Sequence, residues 1–176
     1  MIFRETRLAG AFLILPEPSA DERGFFARTF CAEEFHARGL ISEFVQCSLS
    51  YNRRKGTLRG LHYQLAPHAE TKLVRCTMGA IYDVVLDLRP DSPTFRQWVA
   101  AELTAENRMM MYIPAGLAHG FQSLADQTEV FYQISPAYHP ESARGVRWDD
   151  PAFAIRWPLP DPILSAGDAT RAGFAP

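Results

Sequence analysis

Cysteine and long apolar runs are the scarcest features of this sequence. Its three cysteines, Cys31, Cys47 and Cys76, are odd in number and show no C-x-x-C spacing, so neither a disulfide framework nor a zinc knuckle is predicted. We interpret them as small hydrophobic residues. No apolar run approaches the roughly 18 residues of a membrane span, and the N-terminus MIFRETRLAG lacks the order of a signal peptide. We therefore expect a cytoplasmic protein without a membrane partner.

Net charge is also small, at −2, which argues against nucleic acid because duplex binding usually needs a broadly basic surface. The local picture differs, since residues 44–69 contain no Asp or Glu. Arg53, Arg54, Lys55 and Arg59 all fall in this stretch. Such a basic segment suits a small anion better than a polymer. For the first three residues, a solvated loop that happens to be basic is an equal alternative.

Strand signals dominate a chain whose 176 residues suit a single domain spanning 1–176. Turn residues separate short apolar or alternating runs, which predicts an all-β sandwich or barrel. The runs are AFLIL, TLRGLHYQL, KLVRCTM, AIYDVVLDL, QWVAAEL, MMMYIP, HGFQSL and EVFYQIS. One helix is predicted over residues 32–40, with acidic residues in its first turn and Gly39 placed to end it. The tail from Trp157 onward is predicted to be irregular.

The stretch GTLRGLHYQ, residues 56–64, places an arginine and a histidine within an apolar strand. Strict alternation would send Arg59 and His62 to opposite faces, because they are three residues apart. A bulge at Gly60 would insert one residue and turn both side chains to the same side. We therefore predict that the two share a cavity. The alternative is that His62 is a core histidine bonded to a backbone carbonyl.

The segment YIPAGLAHGF, residues 112–121, reads as a strand, a Pro-Ala-Gly turn and a second strand carrying His119. It resembles the second cupin motif, P-x-G-x-x-H. In metal-binding cupins the first motif supplies His-x-His and a later Glu, and here those positions are His62, Gln64 and Glu70. An amide replaces one imidazole, which removes a strong ligand. A metal-dependent cupin oxygenase or isomerase built on these residues remains an alternative to a metal-free site.

A metal-free reaction in such a cavity needs a base, an acid and a group that stabilises negative charge. His62 is a candidate base, because a neutral imidazole titrates in the physiological range. Tyr132 alternates with Val130 and Ile134, so its hydroxyl would point inward as a candidate acid. Lys72 opens the strand KLVRC, where its ammonium either runs to the surface or faces the cavity. The sequence leaves both positions of Lys72 open.

Seven collinear motifs together resemble a known family of enzymes. They are DERGFFARTF at 21–30, KGTLRGLHYQ at 55–64, KLVRC at 72–76, DVVLDLRPDSPT at 83–94, IPAGLAHGF at 113–121, RGVRWDDP at 144–151 and LSAGD at 164–168. From end to end the chain is similar to the dTDP-4-dehydrorhamnose 3,5-epimerase family. The resemblance implies a cupin-like β-barrel (jelly roll) with one or two short peripheral helices. It also implies a cofactor-independent, metal-free carbohydrate epimerase that inverts C3, C5 or both in a nucleotide-linked 4-keto-6-deoxy sugar.

The resemblance implies a role for nine side chains. His62 would be the proton acceptor, oriented by Asp168, and Tyr132 the proton donor on the opposite face of the sugar. Six more would bind substrate: Arg23 and Arg59 the diphosphate, Lys72 the C4 oxygen, Gln46 and His119 the cavity wall, and Tyr138 the nucleotide base. Family members form dimers that exchange N-terminal strands, so Arg23 would complete the neighbour's site.

Four positions depart from the family pattern, and none of them is a catalytic position. Arg28 stands where a glutamate is usual, Ser48 for an asparagine, Ala143 for an acid and Gly167 for a lysine. We therefore expect retained chemistry with altered recognition, and a nucleotide other than thymidine diphosphate, such as CDP, stays open. A non-catalytic sugar-nucleotide binding module is a further alternative. The intact base, orienting acid and tyrosine argue against it, because a binder needs no such set.

Overall fold

Two antiparallel sheets form the body of the fold in the computed structural model, which describes residues 1–174. The six-stranded sheet has the order β1 (Ile2–Glu5), β2 (Phe12–Leu15), β10 (Met110–Ile113), β7 (Thr71–Met78), β12 (Thr128–Ser135), β5 (Gln46–Asn52). The five-stranded sheet has the order β13 (Ala143–Gly145), β6 (Leu58–Gln64), β11 (Leu117–Ser123), β8 (Ala80–Asp87), β9 (Trp98–Thr104). A separate hairpin pairs β3 (Ser19–Asp21) with β4 (Gly24–Phe26). This architecture confirms the all-β prediction.

The main core fills the space between the two sheets. Alternate residues of the facing strands point into it, among them Val74 on β7, Val130 on β12, Val85 on β8 and Phe121 on β11. Period-2 alternation sends every second side chain to this face, so short amphipathic strands suffice to build it. Cys76 belongs to this core, as predicted, whereas Cys31 is half-buried and Cys47 is exposed. The prediction of small buried cysteines is therefore right for one of the three.

The predicted helix over 32–40 is shorter in the structure, where α1 spans Ala32–His36. The hydrogen bonds after it tighten to the three-residue type, from Arg38 N to Phe35 O and from Gly39 N to His36 O. Gly39 then turns the chain with a φ of +68°. Cys31 at the N-cap makes no side-chain cap, so packing holds this helix in place. Phe35 is fully buried against the outer face of the six-stranded sheet.

The C-terminal segment covers the outer face of the five-stranded sheet. Phe153, Trp157 and Phe174 pack there against Leu61 and Val84. The segment is irregular, as predicted, except for the short helix α2 (Ala166–Ala169). The Oγ atom of Ser165 accepts a hydrogen bond from Asp168 N at 3.1 Å and caps this helix. No helix among residues 1–174 is long and apolar enough to cross a membrane.

The bulge predicted at Gly60 is present. His119 pairs with His62 and Phe121 pairs with Arg59, so two steps along β11 match three steps along β6. Gly60 has a φ of +127°, which favours glycine. A Cβ atom there would lie 2.5 Å from Gly120 Cα, so the close approach of β6 and β11 also requires glycine. The extra residue sends Arg59 and His62 into the same cavity.

Candidate active site

A cavity of about 570 Å³ opens on the inner faces of both sheets. It is lined by seven of the nine predicted site residues: Arg59, His62, Lys72, His119, Tyr132, Tyr138 and Asp168. These residues come from β6, β7, β11, β12, the segment that follows β12, and the C-terminal tail. The prediction that Arg59 and His62 share a cavity is thereby confirmed. A cavity of this volume and mixed lining is of the size that holds small-molecule ligands.

His62 and Asp168 form the best-defined polar contact of the cavity. Nε2 of His62 lies 2.7 Å from Oδ1 of Asp168, and the carboxylate is nearly buried. Burial lowers the pKa of His62 below its ordinary value, although the Asp168 carboxylate opposes this shift. Burial would raise the pKa of Asp168, but hydrogen bonds from His62, Ser165 and Arg171 lower it instead. A neutral imidazole beside an ionised carboxylate is the arrangement of an oriented general base.

Tyr132 reaches the cavity on the same face of β12 as Val130 and Ile134, as the alternation predicts. Its ring meets that of His119 edge-on, with centroids 5.9 Å apart and planes at 74°. Burial raises the pKa of the phenol far above its ordinary value, and the charge of Asp83 adds to the shift. Tyr132 is therefore protonated at neutral pH and is available only as an acid.

His119 belongs to a second histidine–aspartate pair that the sequence analysis missed. Its Nε2 lies 2.7 Å from Oδ1 of Asp83, and both side chains are buried. The other oxygen of Asp83, Oδ2, has no hydrogen-bond partner among residues 1–174. A signal for this pair was present in AIYDVVLDL, because alternation places Asp83 on the same inward face as Ile81 and Val85. A buried carboxylate needs a polar partner.

Lys72 faces the cavity, which decides the question that the sequence left open. The side chain is only 9% exposed. Its Nζ lies 2.8 Å from Oε1 of Glu70 and donates to the carbonyl oxygen of His62 at 3.3 Å. The two contacts hold the ammonium beside the histidine, where it can meet a developing negative charge.

The four basic residues of segment 44–69 lie in two places, one in the cavity and three in solvent. Arg59 lines the cavity, and its Nε donates to Oδ1 of Asn52 at 2.8 Å. Arg53, Arg54 and Lys55 are exposed and lie outside the lining. The solvated-loop alternative therefore describes these three residues better than a role in anion binding.

Gln46 and Arg23 do not line the cavity of their own chain. The side chain of Gln46 stands next to it, with Oε1 accepting a hydrogen bond from Tyr138 N at 3.1 Å. Arg23 lies on the turn between β3 and β4, is 85% exposed and pairs with Asp21. The hairpin pairs with neither sheet, and its turn leaves Arg23 outside the lining of the cavity.

The four candidate metal ligands each have a protein partner. His62 and His119 bond Asp168 and Asp83, and Glu70 pairs with Lys72. The amide of Gln64 bonds the backbone of residues 68 and 139. Glu70 and Gln64 are therefore engaged elsewhere, and only the Nδ1 atoms of the two imidazoles remain as free donors, fewer than the three protein ligands that a catalytic zinc site uses.

A different cluster, His68, His139 and Glu141, brings three ligand atoms within 4.8 Å of one another. The two imidazoles, however, are stacked, with centroids 3.5 Å apart and planes at 13°. Imidazole binds a metal ion in the plane of its ring. One ion cannot lie in two nearly parallel planes at this separation, so the cluster does not have the geometry of a metal site.

Known proteins match this chain in both sequence and structure. The model of the family described as dTDP-4-dehydrorhamnose 3,5-epimerase matches residues 5–175. The chain belongs to the dTDP-4-dehydrorhamnose 3,5-epimerase family. The resemblance drawn from the seven sequence motifs is confirmed, and with it the enzyme class.

Individual members of the epimerase family match over nearly the full chain. A dTDP-4-dehydrorhamnose 3,5-epimerase from Pseudomonas aeruginosa is 46% identical over 176 residues, covering 98% of this chain and 96% of that protein. The crystal structure of the Bacillus anthracis enzyme with TDP and PPi bound superposes with a TM-score of 0.95 at 41% identity, covering 98% and 99% of the two chains. The Legionella pneumophila enzyme in complex with dTDP-4-keto-L-rhamnose gives a TM-score of 0.90 at 40% identity, covering 97% and 90%. These superpositions confirm the cupin-like jelly-roll fold.

Three of the four departures from the epimerase family pattern line the cavity. Ser48, Ala143 and Gly167 all contribute to its wall. Arg28 does not, because its Nη1 pairs with Oε1 of Glu34 on α1 at 3.1 Å. Arg144 and Arg171 also line the cavity, and the sequence analysis assigned no role to either.

Proposed function

We propose that this protein epimerises a nucleotide-linked 4-keto-6-deoxy sugar by removing and returning protons next to the keto group. The reaction would convert dTDP-4-dehydro-6-deoxy-D-glucose to dTDP-4-dehydro-L-rhamnose or a close relative, with inversion at C3, C5 or both. The observation that carries the proposal is one cavity containing an oriented neutral imidazole and a protonated phenol. We also propose that residues 1–176 act as one epimerase domain. The cytoplasmic location of the protein stays a prediction.

His62 would be the base of this reaction. A carboxylate only accepts hydrogen bonds, so the 2.7 Å contact with Asp168 puts the proton of the neutral ring on Nε2 and leaves a lone pair on Nδ1. That lone pair would take the proton from carbon. Asp168 fixes this tautomer and stabilises the imidazolium that forms.

Lys72 would supply most of the driving force that His62 lacks. A carbon acid beside a ketone is far weaker than imidazolium, and a gap of roughly ten pKa units leaves about 14 kcal/mol unmet, at about 1.36 kcal/mol per unit. A positioned cation at the C4 oxygen stabilises the enolate, and its effect is larger where water is excluded. The nearly buried ammonium of Lys72 beside His62 supports this role.

Tyr132 would return the proton from the opposite face of the sugar. Inversion requires this second group, because a base that holds the abstracted proton can return it only to the face from which it came. The raised pKa keeps the phenol protonated until the enolate forms. His119, in edge contact with the tyrosine ring, would form the adjoining wall.

The remaining predicted residues would bind the nucleotide diphosphate. Arg59 would contact the phosphates, and Tyr138, which is 55% exposed on the rim of the cavity, would stack on the base. Gln46 would position Tyr138 through the bond to its backbone nitrogen. Because the lining residues Ser48, Ala143 and Gly167 depart from the family pattern, a nucleotide other than dTDP, such as CDP, or a differently substituted sugar is the open alternative for the substrate.

We further propose that the protein works as a homodimer in which N-terminal strands are exchanged. Apolar side chains that a monomer would normally bury are exposed on the hairpin and on the edge strand β5: Phe25 46%, Phe26 80%, Leu49 62% and Tyr51 46%. Exposed edges and apolar patches are sites of association. The hairpin also carries Arg23, which would then complete the cavity of the partner rather than its own.

Solvent isotope exchange tests the proposed function directly. The enzyme is incubated in D₂O with dTDP-4-dehydro-6-deoxyglucose, and deuterium at C3 and C5 is followed by NMR. We expect exchange at one or both carbons and the appearance of the epimer. Parallel reactions with the CDP-linked sugar identify the nucleotide. Failure to exchange either carbon with either nucleotide would contradict the proposal.

A further inference from the structure

Arg171 brings a third group to the His62–Asp168 pair. It follows α2 by two residues, lines the cavity and is 28% exposed. Its Nε donates to Oδ1 of Asp168 at 3.3 Å. This is the same oxygen that lies 2.7 Å from Nε2 of His62. One carboxylate oxygen is therefore held from two sides, by the imidazole and by a guanidinium.

The fold leaves a specific space for this guanidinium. A Cβ atom on Gly145 would lie 2.5 Å from Cζ of Arg171 and 2.6 Å from its Nε, so only glycine permits the contact. Gly145 lies on β13 directly opposite His62 in the register. The close approach explains glycine here, since backbone φ is not in the left-handed region at this position. The guanidinium thus rests on the strand that flanks His62.

The location of Arg171 has two physical consequences. A planar guanidinium held on a backbone surface fixes the direction from which Asp168 is bonded, and a carboxylate with two fixed donors has little freedom to turn away from His62. The cation also acts on the imidazole. Burial is the main cause that lowers the pKa of His62, and the charges of Arg171 and Lys72 lower it further while Asp168 raises it.

We propose that Arg171 is a positioning residue of this site, which holds the Asp168 carboxylate against His62 through the shared oxygen Oδ1. The inference rests on the proposed function, because it assigns Arg171 to the base of that reaction. A cation in this place stabilises the ionised form of Asp168 and keeps His62 neutral, so that the base is ready to accept a proton. Arg171 contacts the orienting acid and need not touch the reacting carbons.

Several other charged or titratable side chains also surround His62. They lie on β6 itself, on its neighbours β11 and β13, and on or just before β7 and β12 of the six-stranded sheet: Arg59, Glu70, Lys72, His119, Tyr132 and Arg144. Arg171 differs from this set because it bonds the carboxylate that bonds His62. Its replacement therefore changes both the charge near the imidazole and the geometry of its partner.

Two substitutions separate the charge of Arg171 from its geometry. Arg171→Met removes both and is expected to lower kcat about tenfold, the cost of one charge-assisted hydrogen bond, with KM nearly unchanged. The acid limb of kcat/KM should move to higher pH, because loss of the neighbouring cation raises the pKa of His62. Arg171→Lys keeps the charge and should leave the limb in place while restoring part of kcat.

Gly145→Ala provides the matched control, since it displaces the guanidinium without removing it. We expect this change to lower kcat in the native background and to have almost no further effect in Arg171→Met, where no guanidinium remains to be displaced. Such non-additivity is the signature of one shared contact. Additive effects, or an Arg171→Met variant altered only in KM, would overturn the inference.

The titration of His62, followed by NMR of its ring without substrate, keeps this test independent of activity. Arg171→Met should shift that titration to higher pH even if the wild-type protein fails to exchange deuterium. Absence of exchange in the wild type would refute the proposed function alone. An unchanged His62 titration in Arg171→Met would refute the role of Arg171 alone.

Discussion

His62 and Tyr132 carry separate steps of the proposed reaction, and each can be replaced while the other cavity residues are kept. His62→Ala deletes the base but leaves the cavity cations in place. We expect deuterium exchange to fall at least about 10³-fold, because general-base catalysis and its oriented partner are both lost. Nucleotide binding, measured by calorimetry with dTDP, should change less than about threefold, since one lost cavity contact costs well under 1.4 kcal/mol. Exchange that survived in this variant would rule out His62 as the base.

Tyr132→Phe separates proton removal from inversion. The variant keeps the ring and the edge contact with His119 but loses the acid. We expect solvent deuterium still to enter the sugar, because His62 can remove a proton and return a deuteron to the same face. Epimer formation should fall at least about 100-fold, the lower range for a general acid. NMR of a single reaction reports both quantities, and parallel loss of both would argue against separate roles.

The pH dependence follows from the direction of the shift at His62. The base must be neutral, and burial lowers its pKa below the ordinary value of about 6.5. The acid limb of kcat/KM should therefore lie below that value. Asp168→Asn removes the group that raises the pKa, so the limb should move to still lower pH while kcat falls. A limb that moved upward in Asp168→Asn would contradict the assignment of Asp168.

At the scale of the element, the bulge in β6 connects sequence to site. Gly60→Ala places a methyl group 2.5 Å from Gly120 Cα at a φ of +127°. We expect the free energy of unfolding to fall by about 2–4 kcal/mol, from overpacking and an unfavourable φ together, and activity to fall because Arg59 and His62 are both redirected. Gly56→Ala is the control, since Gly56 has a φ of +82° with no atom within 4 Å of the new methyl group.

Gly56→Ala should therefore show only the backbone cost, about 1–2 kcal/mol. Urea denaturation of the two variants measures the difference. Equal loss of stability in Gly60→Ala and Gly56→Ala would mean that β6 and β11 are farther apart at Gly60 than the 2.5 Å distance from a Cβ there to Gly120 Cα indicates.

The loop after β8 depends on a carboxylate that takes no part in the proposed chemistry. Asp87 is fully buried and accepts hydrogen bonds from Arg89, Ser92 and Thr94. Burial would raise its pKa, but these bonds hold the pKa well below the usual range. Asp87→Asn should lower the free energy of unfolding by about 3 kcal/mol at pH 7, the cost of breaking a buried pair.

The sign of the pH effect follows from the depressed pKa. The stability that Asp87 contributes is present above the ordinary pKa of an aspartate, about 3.9, and is lost as pH falls through the lower folded value. The difference between Asp87→Asn and the native protein should narrow in acid. Asp91 is exposed and lies in the same loop, so Asp91→Asn is the control variant. Its free energy of unfolding should match that of the native protein both at pH 7 and in acid.

The elements also show where sequence reasoning succeeds and where it fails. Eight apolar runs predict β2 and β6 to β12, because alternation and turn residues are local signals. β5 escapes detection: its sequence QCSLSYN is mostly polar, and its pairing with β12 defines it. β13 likewise depends on a partner distant in sequence, whereas β1, β3 and β4 pair with their neighbours along the chain and are too short to give a clear alternation.

The candidate site follows the same division. The bulge and the inward phenol could be predicted because they depend on neighbouring residues. Asp168 was assigned by resemblance alone, since it is 106 residues from His62. Asp83 was missed because its contact with His119 joins two separate strands, and Arg171 because its bond to nearby Asp168 gains a role only where Asp168 meets distant His62. Local periodicity cannot show which distant segments meet.

For the whole molecule, the proposed strand-exchanged dimer predicts complementation between two inactive variants. Arg23→Ala and His62→Ala are each expected to be inactive, but in a mixed dimer the intact Arg23 of one protomer meets the intact His62 of the other. Random assembly at equal amounts should restore about a quarter of native activity, since half of the dimers are mixed and each has one complete site. Co-expression with different affinity tags provides the mixed dimers. No recovery in purified mixed dimers would place Arg23 outside the partner's cavity.

The C-terminal tail, which covers the outer face of the five-stranded sheet, also carries Asp168. Every strand of both sheets ends before Arg147. A polypeptide that terminated prematurely near Pro160 would retain all of those strands and lose the orienting carboxylate. It would also lose the packing of Phe174 against the outer face of the five-stranded sheet, so its stability and its activity would both fall. A single substitution of Asp168 removes only the carboxylate, so screens that score abundance would overlook that damage and a readout of turnover would detect it.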